Sequence, residues 1–116
     1  MTTKTFTVES YKEYLGHTMT GMAQGQTIKF RGILVCTGGD HTFALYFLTE
    51  DSFVPKCSYL PAYKRGVVYL PFKEMPPFVD MLRNEKPIYA YLNSDHPEWN
   101  QLNTSAEPVG EGEQLP

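Results

Sequence analysis

The stretch from Thr27 to Thr49, TIKFRGILVCTGGDHTFALYFLT, constrains the fold more than any other part of the chain. Ile28 and Phe30 alternate with Lys29 and Arg31, Gly32 interrupts, and the run then turns uniformly apolar, as a strand passing from an edge into a core would. Gly38-Gly39-Asp40 is a turn signal, and TFALYFLT follows it with strand-forming residues. The two runs predict a β-hairpin.

The flanks predict a mixture of elements. Ser10 followed by Glu13 is a capping-box pattern, and Tyr11, Tyr14, Leu15, Met19 and Met22 recur at helical spacing, which predicts a helix starting at Ser10. Gly16, Thr18, Thr20 and Gly21 weaken its second half. The segment Glu50 to Tyr63 reads as irregular, because Pro55 and Pro61 bar a central strand.

The stretch KRGVVYLPFKEMPPF, from Lys64 to Phe78, poses a question of its own: it is either a binding lip or the place where a strand becomes a helix. GVVYL at 66–70 reads as a strand. Pro71, Pro76 and Pro77 then bias their predecessors away from helix, while Pro77 suits a first helical turn. A short helix over 77–83 would present Phe78, Val79 and Leu82 on one face, with Asn84 able to end it, and PIYAYLN at 87–93 would be the last strand.

This order predicts an α+β domain over residues 1–103: an antiparallel sheet of about four to five strands, or a small barrel, with two short helices packed on one face. Its core would include Leu45, Phe47, Val67, Phe78, Leu82 and Ile88. Residues 104–116 contain three Glu, two Pro and two Gly with almost no large apolar side chain, which predicts a disordered acidic tail.

Charge and cysteine content narrow the function classes. The net charge is −3, and it is unevenly placed, since every ionic side chain after Lys86 is acidic. No apolar run reaches the roughly 18 residues of a membrane span, and MTTKTFTVES lacks the apolar stretch of a signal peptide. The reading is therefore cytoplasmic, with Cys36 and Cys57 as reduced thiols. Neither C-x-x-C nor H-x-x-x-H spacing occurs among Cys36, His41, Cys57 and His96, so no metal or other cofactor is expected. Asp40-His41 and Asp95-His96 invite an acid–base reading with a cysteine nucleophile, but such pairs are common in turns for backbone reasons.

The aromatic set is the stronger clue. Tyr59, Tyr63, Tyr69, Tyr89 and Tyr91 lie close in sequence to Lys64 and Arg65, and in the last strand Tyr89 and Tyr91 share one face while Ile88, Ala90 and Leu92 share the other. These seven residues are the expected partner-binding set. A phenolic sheet face or edge suits a non-catalytic adaptor that engages a protein partner or its own copy, and the acidity favours that reading. The same rings beside Lys64 and Arg65 could instead stack the bases of a single-stranded nucleic acid. A small-ligand barrel or an enzyme is the third class.

Overall fold

The computed structural model describes residues 2–105. The chain is mostly β, with strands β1 (Thr3–Thr7), β2 (Ser10–Ala23), β3 (Gln26–Gly38), β4 (His41–Leu48), β5 (Ser58–Leu60), β6 (Arg65–Pro71), β7 (Ile88–Asn93) and β8 (Gln101–Thr104), and one helix, α1 (Met75–Asn84). Two sheets form: a three-stranded antiparallel one in the order β1-β7-β8, and a five-stranded one in the order β2-β3-β4-β6-β5.

The expected hairpin is β3–β4, closed by Gly39 and Asp40, with Gly38 opposite His41. Gly39 adopts φ 59°, the positive value that a two-residue hairpin needs at its first position. The strands expected at 66–70 and 87–93 and the helix expected at 77–83 are β6, β7 and α1. Proline occupies the start of α1, where a missing N–H removes no helical bond, and the Glu85 amide donates to the Met81 carbonyl at its end.

The five-stranded sheet is mixed, which corrects the all-antiparallel expectation: β4 and β6 run parallel, Leu45 opposite Val68 and Phe47 opposite Leu70. Parallel neighbours need a long crossover, and the proline-punctuated segment 49–64 supplies it. The short strand β5 sits inside that crossover and pairs antiparallel with β6. No barrel closes, because β2 and β5 are the two outer strands and do not pair. Gln24, at the tip of the β2–β3 hairpin, reaches the segment just before β5: it donates to the Lys56 carbonyl at 2.9 Å and accepts from the Lys56 amide at 3.2 Å.

The helix expected from Ser10 is instead β2, and α1 is the α-helix of the described residues rather than one of two. Ser10 to Leu15 pair with Thr37 to Gly32; Gly16, His17 and Thr18 then stand opposite the single residue Arg31, before Met19 pairs with Phe30. Tyr11 and Leu15 lie on the face opposite Tyr14, and beyond the bulge Met19 and Met22 also lie on opposite faces, so the apolar positions 11, 14, 15, 19 and 22 mark no single face of the strand although their spacing imitates a helix. Two Gly and two Thr are weak helix formers, so pairing with β3 outweighs a marginal local preference.

Arg31 is also an extra residue against β4, since Phe30 faces Leu48 and Gly32 faces Phe47. Side chains of β3 therefore change face at this point. Leu34 and Cys36 join the main core with Phe43, Leu45, Phe47 and Val68 of the five-stranded sheet and Phe6, Ile88, Ala90, Leu92 and Leu102 of the other. Ile28 and Phe30 instead form a second cluster with Leu48, against which Tyr46 and Tyr69 pack. Full burial of each such Leu, Ile or Phe contributes on the order of 1.5–3 kcal/mol.

Of the expected core residues, Leu45, Phe47, Val67, Leu82 and Ile88 are buried, while Phe78 is half-buried against the Phe47 ring at 5.7 Å. The chain steps from one sheet to the other between consecutive residues: the Val8 amide donates to the Ile88 carbonyl and the Glu9 amide to the Thr37 carbonyl, both at 2.8 Å. Gly38 makes this step possible, because a Cβ there would lie 1.9 Å from the Thr7 carbonyl oxygen. Thr104, the first residue of the expected tail, belongs to β8, and residues 106–116 of that tail lie outside the described residues. No helix of the described residues is long and apolar enough to cross a membrane.

Candidate functional site

Six of the seven expected binding residues lie on three separate surfaces, and the seventh, Tyr59, is in the core. Tyr89 and Tyr91 are half-buried on the outer face of the three-stranded sheet, with Ile88, Ala90 and Leu92 turned to the core as their alternation predicts. The Tyr91 hydroxyl accepts a 3.0 Å bond from Asn93 Nδ2. Tyr69 lies on the outer face of the five-stranded sheet, stacked on Tyr46 with ring centroids 5.4 Å apart, and burial pushes its phenol pKa up. These two outer faces are on opposite sides of the molecule, because the main core lies between the sheets.

Tyr59, Tyr63, Lys64 and Arg65 gather at the start of β6. Tyr63 is 77 % exposed, and Lys64 takes a left-handed conformation with φ 54° and pairs with Asp40. Tyr59 is buried, its hydroxyl 3.2 Å from His41 Nε2, while His41 Nδ1 lies 2.9 Å from Asp40 Oδ1. Asp40 and His41 thus orient one another although adjacent in the chain. The Lys64 ammonium, then His41, holds the Asp40 carboxyl well below the usual carboxylate range. Burial, and next the Asp40 charge, raises the Tyr59 phenol.

Of the two thiols weighed from sequence as a nucleophile, Cys36 is not placed for that role. Cys36 is fully buried and its thiol is pushed up to about 12 by desolvation, so it stays protonated at neutral pH. His96 turns to Glu98, with Nδ1 3.2 Å from Oε2, and stacks on Trp99 at 4.1 Å. No group of three or more metal-binding side chains converges among the described residues.

Two concavities flank the segment Pro71–Met75, the middle of the stretch that read as either a lip or a strand-to-helix junction. It is both. One groove, of about 710 Å³, runs between β2 and α1; Leu15, Phe72, Met75 and Val79 give it an apolar lining, and Glu13 and Arg83 face each other across it at 3.7 Å. The other cleft, of about 760 Å³, lies at the carboxyl ends of the parallel strands β4 and β6, among Arg31, Leu48, Val54, Tyr69, Phe72 and Lys73. Both volumes fall within the range of sites that take small ligands.

The groove opens onto an unpaired sheet edge. β2 is the outer strand of its sheet, 14 residues long, and Tyr14, Leu15 and Met22 on it are 40 %, 65 % and 69 % exposed. Sequence reasoning missed Leu15, Arg31, Phe72 and Lys73 as lining residues, because the first was assigned to a helix and the others to a strand and a connection. A usable signal was the sequence Phe72-Lys73 between proline-fixed elements, which leaves a ring and a cation at a bend. Comparison with protein-family models, with curated proteins and with solved structures found no match, so the functional reading rests on this geometry.

Proposed function

We propose that this chain is a non-catalytic binding module that takes an extended segment of a partner protein along the free edge of β2, beside α1. The open edge next to an apolar groove carries this reading. An added strand would satisfy the outward backbone groups of β2, and its alternate side chains would enter the groove over Leu15, Met75 and Val79. Sheet edges are ordinarily blunted by charge; the charges of β2 are Lys12 and Glu13, which are opposite in sign and cancel. The bulge at Gly16–Thr18 interrupts pairing, so the competent run is Ser10–Leu15, the part that borders α1.

The nucleic-acid reading has less behind it. The tyrosines divide between opposite faces, Lys64 is neutralised by Asp40, and the net charge is −3.

The test is selection of short peptides displayed against the folded protein, followed by mapping of amide shifts. Selected peptides are expected to shift residues 10–15 and α1, and Leu15→Asp should weaken them at least about tenfold with an unchanged melting temperature. Peptides that map to another surface, or a selection that yields none, would sink the proposal. A concentration-dependent dimer that Leu15→Asp abolishes would identify the partner as a second copy of the chain.

A further inference from the structure

The second cleft has features that the protein-binding reading does not use. Its cations are distinctive. Arg31 is the residue expelled by the bulges of β2 and β3, a device that re-aims a side chain, and its guanidinium lies 4.5 Å over the Phe72 ring. Stacking on the ring fixes the guanidinium plane while leaving its N–H edge available for a planar acceptor. Lys73 follows in the next position, and among the described residues neither cation is paired with a carboxylate. Glu50 is the one acid in the lining, against two bases, so the cleft carries a surplus of positive charge in a chain that is acidic as a whole.

The remaining wall is mainly apolar, from Leu48, Val54, Leu70 and Phe72, with Tyr69 beside them. A single surplus positive charge suits a monoanion better than a phosphate dianion. A stacked guanidinium offers two parallel N–H groups, which match the two oxygens of a carboxylate.

We propose that this cleft binds a small amphipathic carboxylate, its apolar body against Leu48, Val54 and Phe72 and its anionic end held by Arg31 and Lys73. The proposal is independent of the β2 edge. Arg31 and Val54 line this cleft and not the groove beside β2, so variants at these two positions separate the two readings.

The experiment titrates the isotope-labelled full chain with 4-phenylbutyrate and, in parallel, with its uncharged twin 4-phenylbutanamide, following backbone amide shifts. The carboxylate is expected to shift Arg31, Thr49 and Leu70 saturably, with the amide at least about tenfold weaker, as the loss of one charge-assisted pair implies. Arg31→Met, which keeps an apolar stem over Phe72, should lose a similar factor. Val54→Trp, at an exposed position that would fill the cleft, should abolish the shifts. Lys73→Met serves as a second charge-removing variant should Arg31→Met fold poorly. Equal binding of the two compounds, shifts confined to β2 and α1, or full binding by Val54→Trp and the charge-removing variants would each overturn the proposal.

Discussion

β7 and β2 are both strands that mix aromatic with aliphatic residues, yet they behave as opposites. β7 is the middle strand of its sheet, paired to β1 on one side and β8 on the other, and its side chains alternate cleanly between the core and the outer face. β2 is an outer strand with one neighbour, interrupted at Gly16–Thr18, and none of its residues is fully buried. Two neighbours fix a strand's register and leave little for it to offer a partner. One neighbour leaves backbone groups unpaired and side chains such as Leu15 exposed, which is what recognition of another chain requires.

Four measurements would break or sharpen that contrast. The largest effect is expected from Gly38→Ala. Its Cβ would collide with the Thr7 carbonyl at 1.9 Å, where backbone faces backbone, so the step that joins β1 of one sheet to β2 of the other should come apart. A loss of roughly 4 kcal/mol or more is expected in denaturant unfolding, and a loss below about 1 kcal/mol would show that the two sheets separate at little cost. Next comes Leu92→Ala in β7, a side chain with no exposure, which should cost about 2–5 kcal/mol for lost burial and the cavity left behind.

The third effect depends on pH. The Cys36 thiol lies on β3, where burial pushes it up to about 12 from the 9.0 of an ordinary thiol. The protonated form is favoured in the folded chain, so its contribution is fully present below about pH 9 and is lost as pH rises toward 12. Stability should fall through that alkaline window by an amount on the order of a few kcal/mol from this group. Cys36→Ala should flatten the fall, leaving the part due to Tyr59 and Tyr69, whose phenols are also raised. An unchanged alkaline slope in the variant would remove Cys36 from the account.

The smallest effect should come from Leu15→Ala in β2, which is expected to change stability by no more than about 0.5 kcal/mol because the side chain is largely solvated. The same substitution should still weaken a bound peptide. A stability loss comparable to that of Leu92→Ala would mean that β2 is already satisfied within its own chain.

The sequence by itself determined the elements whose signals are short in range. The Gly38-Gly39-Asp40 turn set the β3–β4 hairpin, the prolines set the start of α1, and the alternation of IYAYL oriented Tyr89 and Tyr91 outward, because turn dihedrals and side-chain period are properties of neighbouring residues. Tertiary structure decided what depends on partners distant in the chain. Ser10–Ala23 became a strand once β3 offered it a ladder, although its spacing and its capping box indicated a helix. The parallel alignment of β4 with β6 followed from a crossover whose prolines, read locally, only excluded a central strand. The expected tyrosine surface divided because β6 and β7 belong to different sheets that turn their outer faces in opposite directions. Both concavities lie where β2, β3, β6 and α1 converge on Pro71–Met75, and a convergence of residues from distant parts of the chain leaves no periodicity for a local reading to detect.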